Sequence, residues 1–349
     1  MKFSRNQIFA GAGLAVLLMA ALAVFFGPRV VRRLQAQFTP GKVCEIDSAS
    51  TVGGSWSQGR DLPLPRGETE VVAADGLIYV PGGLLSGWQV STRFDVYDPA
   101  SDSWTALASL PKGLHHLGVD TIDGLIYVSG GYSVEFFPNV NGLWVYNPKT
   151  DAWKQLADMP GHRAAHAMVA IGGKLYVAGG DTPEWEDPIG VWVYDPATNS
   201  WDTSLAPLSG PRDHVKGAAV DGKLYLIGGR WKHSANYATV EAYDPAANTW
   251  IPRQDMVTPR SGFAVSALDG KIHVMGGENY PQLCVYAQHE VYDPATDTWS
   301  VWPDLPTPRH GVASAVVDDR LYVISGALGS GPQTQFTLSG AVEIFAPDR

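Results

Sequence analysis

Short apolar runs separated by polar turns recur along most of the chain, and this pattern predicts strands rather than helices. In one unit, the apolar segments 164–171 and 174–180 flank Gly172-Gly173, which reads as a tight hairpin. A third segment, 190–195, follows, and Trp201 begins a fourth. Each unit is therefore predicted to form a four-stranded antiparallel sheet.

Three sequence signals repeat in register, with a period of 48 or 49 residues. The tryptophans are Trp56, Trp104, Trp153, Trp201, Trp250 and Trp299. The glycine pairs begin at Gly82, Gly130, Gly179, Gly228 and Gly276, with a weaker Ser325-Gly326. The Tyr-Asp-Pro or Tyr-Asn-Pro turns begin at Tyr97, Tyr146, Tyr194, Tyr243 and Tyr292, with a degenerate Phe345-Ala346-Pro347. We interpret the glycine pair as allowing the backbone to approach the tryptophan ring closely.

A glycine pair, a tyrosine and a tryptophan at this period resemble the Kelch repeat. The resemblance implies an all-β, six-bladed Kelch-type β-propeller over 56–349, with four-stranded blades around a central channel. The last unit has a third strand at 341–345 but no following tryptophan, whereas Trp56 has no strands before it. We therefore predict that an N-terminal strand around Trp56 closes the last blade, which removes open sheet edges.

An uncharged segment of 19 residues, 8–26, follows a short basic N-terminus at 1–7. Its length nearly spans a bilayer, so we predict one transmembrane signal-anchor helix followed by a juxtamembrane linker at 27–55. A cleaved signal peptide is the alternative, but the run is long for one and no A-x-A site follows. We expect a single-pass membrane protein with its propeller outside the cytoplasm, periplasmic or extracellular, although basic residues flank the span on both sides.

Charge and cysteine content narrow the function further. After residue 40 there are 20 basic and 35 acidic residues, a net charge of −15, which argues against nucleic acid as a partner. The chain has two cysteines, Cys44 and Cys284, and lacks zinc-binding spacing. They either form a disulfide, as an extracytoplasmic location would allow, or remain unpaired thiols.

Candidate site residues are those that break the repeat symmetry in loops expected at one mouth of the channel. A basic residue recurs in every unit, at Arg66, Lys112, Arg163, Arg212, Arg260 and Arg309, and we expect a structural role for most of these. The first unit has Glu68, Thr69 and Glu70 where later units carry histidines, and His310 stands in the last. The predicted ligand-binding residues are His115, His116, Arg163, His166, Trp185, Arg212, Asp213, His214, Arg230, Trp231 and Glu278.

Three functions compete for this mouth. The first is a protein- or carbohydrate-binding module, because aromatic rings beside carboxylates and arginine suit sugars or peptides. The second is a sugar mutarotase or isomerase, of the kind that acts on sialic acids in some similar propellers, using acid/base residues. The third is a metal site of His115, His166 and His214, which we weigh against these side chains being ordinary polar channel residues. The prediction is a binding module with no cofactor and no metal.

Overall fold

The computed structural model describes residues 41–46, 52–134, 138–183, 189–232 and 234–348. The predicted N-terminal anchor at 8–26 lies outside these residues. No helix among the described residues has the length and apolar character needed to cross a membrane.

Six four-stranded antiparallel sheets, which we call blades 1 to 6, make up most of the described part of the chain, and one small three-stranded sheet is added to them. Blade 1 contains β3 (Val72–Ala74), β4 (Leu77–Pro81), β5 (Phe94–Asp98) and β6 (Ser103–Ala106). Blade 2 contains β7 (Gly118–Ile122), β8 (Leu125–Ser129), β9 (Leu143–Asn147) and β10 (Ala152–Gln155). Blade 3 contains β11 (Ala167–Ile171), β12 (Lys174–Ala178), β13 (Trp192–Asp195) and β14 (Ser200–Asp202). The first strand of each blade contacts the first strands of both neighbouring blades, so the sheets form a closed ring. The fold is therefore a six-bladed propeller, as predicted.

Blades 4 to 6 repeat the arrangement with two additions. Blade 4 contains β15 (Lys216–Val220), β16 (Lys223–Ile227), β17 (Val240–Asp244) and β18 (Thr249–Arg253). Blade 5 contains β19 (Ala264–Leu268), β20 (Lys271–Met275), β23 (His289–Asp293) and β24 (Thr298–Trp302). Blade 6 contains β25 (Ala313–Val317), β26 (Arg320–Ile324), β27 (Val342–Pro347) and β2 (Gly54–Gly59). Blade 5 carries an inserted hairpin of β21 (Glu278–Asn279) and β22 (Cys284–Val285). Short 3₁₀ helices occupy Ser86–Trp88 and Gly331–Phe336.

The two ends of the propeller join in blade 6. Strand β2 pairs antiparallel with β27, and Trp56 lies opposite Phe345 in this register. The predicted closure is confirmed, with the strand beginning at Gly54, two residues before the predicted boundary. Closure leaves the last sheet with the same four strands as the others and no missing outer strand.

The repeated tryptophans connect neighbouring blades. Each indole Nε1 donates a hydrogen bond of 2.8–3.0 Å to a backbone carbonyl 44 or 45 residues earlier, and Trp56 reaches Pro303 instead at 2.9 Å. The full series runs from Trp56 to Pro303, Trp104 to Arg60, Trp153 to Ala108, Trp201 to Ala157, Trp250 to Ala206 and Trp299 to Gln254. Each ring also packs against its repeat's tyrosine or, for Trp56, against Phe345. The conserved spacing of the tryptophans thus reflects one bond repeated around the ring.

The glycine pairs do not face these tryptophans, and our interpretation of them is wrong. In blade 4, a Cβ on Gly229 would lie 2.6 Å from the carbonyl oxygen of Asp213, and one on Gly228 would lie 2.8 Å from that of Arg260. Both glycines also have positive φ, 55° at Gly228 and 92° at Gly229. The pair is needed because the chain passes directly against the loops that begin two adjacent blades.

Part of the segment predicted as a linker, 27–55, packs on the propeller. Strand β1 (Lys42–Val43) pairs parallel with β22. Cys44 and Cys284 form a disulfide with a Cα–Cα distance of 5.2 Å. The bridge ties the entering chain to the hairpin that also carries Glu278.

Candidate functional site

Six equivalent positions, one per blade, form a closed ring of backbone hydrogen bonds at one end of the channel. We call them the central ring: Glu68, His116, Ala165, His214, Gly262 and Gly311. Each N–H donates to the carbonyl of the ring residue in the preceding blade, at 2.8–3.3 Å. All six have φ between 50° and 60°, although only two are glycine. This left-handed conformation is costly for residues with a Cβ, so the surrounding blades must hold it.

The loop segment just before the ring explains the repeated arginines. Arg66, Arg212, Arg260 and Arg309 are buried and form ion pairs with Asp95, Glu241, Glu290 and Glu343, which lie at matching positions of the third strands. In blade 3 the acid is replaced by Trp192, whose ring centroid lies 3.7 Å from the Arg163 guanidinium carbon. In blade 2 both partners are apolar, Leu114 and Trp144.

The repeated arginine–acid pairs correct the way in which we aligned the second sequence unit, now blade 2, with the others. Ring position His116 follows Leu114 by two residues, as Ala165 follows Arg163, so Lys112 is not the equivalent basic residue. A buried ion pair can be exchanged for two apolar groups because each exchange removes both charges together. Arg163 and Arg212, which we predicted as ligand-binding, lie inside their blades in this structural role.

Above the central ring lies a cavity of about 320 Å³, which we call the mouth cavity. It is lined by Glu68, Leu84, Trp88, His116, Tyr132, Asp181, Asp213, His214, Arg230, Glu278, Tyr280, His310, Gly331, Pro332 and Thr334. Several of these follow a glycine pair directly and are bridged to the residue just before the ring, as Arg230 is to Asp213. All six blades therefore contribute side chains to one pocket of small-molecule size.

Arg230 is the central cation of the mouth cavity. It is buried, its Nη1 donates to Glu278 and to Ser261 Oγ at 3.0 Å, and its Nε lies 3.6 Å from Asp213. The guanidinium also lies over the ring of Tyr280, 4.3 Å from its centroid. These contacts fix the guanidinium plane at the cavity wall.

Glu278 is held ionised. Burial alone would raise the pKa of this carboxyl, but His310, Arg230 and a hydrogen bond from Ser330 Oγ outweigh burial and place the pKa far below its usual range. Ser330 donates at 2.5 Å and the Gly331 N–H at 3.1 Å, both to Oε2. Glu278 therefore acts as a hydrogen-bond acceptor and a fixed negative charge.

Tyr132 and Asp181 form a second pair across the cavity. The Tyr132 hydroxyl donates to Asp181 Oδ2, and Asn139 Nδ2 donates to the Asp181 carbonyl at 2.8 Å. Burial raises the pKa of Asp181 despite the Tyr132 hydrogen bond, and burial followed by the Asp181 charge raises the pKa of Tyr132 well above 10. Two carboxyls in one cavity, Asp181 and Glu278, thus have pKa values shifted in opposite directions.

Two histidines, His116 and His214, and Glu68 occupy the floor of the mouth cavity. His116 Nε2 lies 3.0 Å from His214 Nε2 and 3.1 Å from Glu68 Oε2. His214 Nδ1 is 2.5 Å from Asp213 Oδ1, and His116 Nδ1 is 2.6 Å from His115 Nδ1. Burial, followed by the neighbouring His214 and His115, lowers the pKa of His116 well below 6.5.

The remaining predicted residues lie elsewhere. His115 stands behind His116 and contacts the Val134 carbonyl. His166 lies beyond the ring, in the channel, where it contacts Ser129 Oγ at 2.8 Å. Trp231 is half-buried next to Arg230 and stacks with Lys232, 5.0 Å away. Trp185 lies outside the described residues. The His115–His166–His214 cluster, which we weighed as an alternative metal site, is therefore not brought together.

Sequence reasoning missed Tyr132 and Asp181 as site residues, and Glu68 was noted only as a departure from the repeat. A signal for the first two was present, because the residue after each glycine pair points to the mouth in blades 1 to 5: Leu84, Tyr132, Asp181, Arg230 and Glu278. Of these, we had singled out Arg230 and Glu278.

The closed ring of six four-stranded blades, with its mouth cavity on one side, defines the class of protein as a six-bladed β-propeller. The profile of the KLHDC2/KLHL20/DRC7 Kelch-repeats domain matches residues 119–326, and the Kelch motif matches residues 65–111. The chain belongs to the Kelch-repeat family, as its sequence pattern predicts.

Curated relatives match over short stretches. The chain is similar to the Kelch-like protein terF of Aspergillus terreus, with 33% identity over 72 residues, which are 20% of this chain and 16% of that protein. It is also similar to beta-scruin of Limulus polyphemus, with 36% identity over 59 residues, 17% of this chain and 6% of that protein. The matched segments are thus less than a fifth of the length of either relative.

A solved structure, "Structure of YjhT", resembles the whole propeller. It superposes with a TM-score of 0.67 over 82% of this chain and 95% of its own, at 21% sequence identity. At this identity the likeness extends to the fold alone.

Proposed function

We propose that this Kelch propeller binds a small hydroxylated ligand, of carbohydrate type, in the mouth cavity. The observation that carries the proposal is the composition of one pocket of about 320 Å³: carboxylates and a buried arginine for hydroxyl groups, and the rings of Trp88, Tyr132 and Tyr280 for the apolar face of a sugar. A concave pocket of this volume suits a small molecule, whereas a folded protein partner would need a large, flatter patch.

The charge of the cavity narrows the ligand class. Among the described residues, the lining includes four carboxylates, Glu68, Asp181, Asp213 and Glu278, against one guanidinium, that of Arg230. Arg230 is already paired with Glu278. A ligand with a further carboxylate would be repelled, so neutral sugars or amino sugars fit better than sugar acids such as sialic acid.

Ligand-observed NMR on the full chain, purified in detergent, tests this proposal against matched neutral sugars, amino sugars and sugar acids. We expect saturation transfer to neutral or amino sugars and none to the acids. Binding restricted to sugar acids, or no sugar binding together with capture of a peptide ligand, would contradict the proposed chemistry.

A sugar mutarotase or isomerase is the second candidate. The observation that favours it is the pair of carboxyls in one cavity with opposite pKa shifts, Asp181 raised and Glu278 lowered, because such a pair can supply an acid and a base. The same NMR samples decide between the two functions: accelerated exchange between anomers of a bound sugar indicates the enzyme, and unchanged exchange indicates a binding module.

We also propose that the propeller works outside the cytoplasm, tethered by the predicted segment 8–26. The disulfide between Cys44 and Cys284 supports this location, because such bonds persist mainly in oxidising compartments. Protein alkylated at the moment of cell lysis should have both cysteines protected until it is reduced. Two freely alkylated thiols would argue for a reducing compartment.

A further inference from the structure

The floor of the mouth cavity has more hydrogen-bond acceptors than its histidines can supply with protons. Arg230 Nη2 can only donate, and it lies 3.1 Å from His214 Nε2, so this nitrogen carries a lone pair. The His214 proton therefore sits on Nδ1 and is donated to Asp213 Oδ1, 2.5 Å away.

The ring protons of His115 and His116 can be assigned in the same way. His115 Nε2 lies 2.8 Å from the Val134 carbonyl oxygen, which requires the His115 proton there. His115 Nδ1 is then an acceptor, and the contact of 2.6 Å with His116 Nδ1 requires the His116 proton on that nitrogen. His116 Nε2 is left with a lone pair, yet it faces His214 Nε2 at 3.0 Å and Glu68 Oε2 at 3.1 Å, both of them acceptors.

Three acceptor atoms thus converge, and the one donor shown at them among the described residues is Arg230 Nη2, which is directed at His214 Nε2. A metal ion could bind all three atoms by replacing Arg230 Nη2 at His214 Nε2, and two imidazoles with one carboxylate are a ligand set used for divalent transition metals.

We propose that Glu68 Oε2, His116 Nε2 and His214 Nε2 bind a divalent first-row transition metal ion of the zinc or cobalt type at the floor of the mouth cavity. The three ligand atoms lie within 4.8 Å of one another and come from blades 1, 2 and 4. The central ring fixes their spacing, because all three are ring residues whose backbones are linked through its hydrogen bonds.

The groups behind the ligands match those of protein metal sites. Asp213 orients His214 through Nδ1, and His115 orients His116 in the same way, so that both Nε2 atoms point to one place. The positive charge of Arg230 opposes a cation here, but it is paired with Glu278, and Asp213 and Glu68 add further negative charge. All three ligands line the mouth cavity, so the open coordination positions of the ion would face the ligand that enters.

This site does not depend on the identity of the cavity's ligand. It replaces the metal cluster considered from sequence: His214 belongs to both, whereas His166 lies in the channel beyond the ring and His115 lies behind His116.

The full chain, treated with chelator and free of an affinity tag, is titrated with Co²⁺ and with Zn²⁺, monitored by cobalt absorption and by calorimetry.

We expect one equivalent of metal per chain, with cobalt bands displaced by Zn²⁺. His116→Ala and His214→Ala should each weaken binding by more than the ~10–100-fold that loss of an outer-shell partner produces. His162→Ala is the matched control, because His162 is exposed and its ring contacts the Asn139 carbonyl, away from the cavity floor. It should bind like the wild type.

Two results would overturn the proposal. The first is a wild-type protein that takes up less than one equivalent at micromolar concentration. The second is stoichiometric binding that survives both cavity substitutions. Because the first result is read from the unaltered chain, it holds even where a variant fails to fold.

Discussion

Arg230→Met should weaken sugar binding in the mouth cavity by roughly 30-fold or more. The guanidinium is buried between Glu278, Asp213 and the Tyr280 ring. The substitution therefore removes donors from the cavity wall and leaves the Glu278 carboxylate without the guanidinium that pairs with it. Loss of one member of a buried charge pair at a binding site typically costs about 2–5 kcal/mol. The measurement is the dissociation constant for the tightest sugar of the NMR screen.

Lys232→Ala is the matched control for this change. Lys232 is exposed, lies two residues further along the same loop and stacks on the ring of Trp231. We expect a dissociation constant within about twofold of the wild type, since exposed charges contribute little. Equal losses in the two variants would show that the ligand binds at the outer rim and not beside Arg230.

Glu343→Gln should lower the free energy of unfolding by about 3–5 kcal/mol, because it leaves the Arg309 guanidinium buried without its counter-charge. Both side chains are almost completely buried, at 0% and 1% exposure, and Glu343 also accepts a hydrogen bond of 2.6 Å from Thr307. Glutamine keeps the shape of the side chain, so the loss reports the charge. The measurement is chemical denaturation at neutral pH.

An exposed ion pair provides the comparison. Lys174 pairs with Asp195 at 3.0 Å, with side-chain exposures of 46% and 30%. Lys174→Met should change the free energy of unfolding by less than about 1 kcal/mol. If Glu343→Gln proved equally mild, the buried arginines would not be the structural supports of the central ring that we describe.

The architecture was readable from sequence because its determinants are local and repeated. Each tryptophan makes the same bond to the preceding blade, so selection for that bond leaves a fixed spacing, and the unpaired Trp56 and 341–345 strand identify the closure. Positions that vary between blades were harder to align and to predict from the sequence. The blade 2 register slipped by two residues because Leu114 and Trp144 replace an arginine and its acid together, which removes the charge by which the repeat was aligned.

The candidate site was only half predictable for a related reason. His116, Asp213 and His214 stood out because they depart from the repeat at positions near a recognisable motif. Tyr132 and Asp181 belong to the same cavity, but their role depends on the glycine pair turning the chain against the adjacent loop, where we expected it to face the tryptophan. Which ring residues meet is set by the closed hydrogen-bonded circle, a non-local feature that has no sequence motif of its own.

The arrangement of the cavity floor rests on one imidazole most of all. His214 is held from two sides, by Asp213 at Nδ1 and by Arg230 at Nε2. Nitrogen-15 NMR of the chelator-treated full chain, with the His214 signals assigned by comparison with His214→Gln, reads directly which ring nitrogen carries the proton. The account predicts a protonated Nδ1 and an unprotonated Nε2 facing the cavity. A proton found on Nε2 would contradict it, because Arg230 and His214 could not then lie together as described.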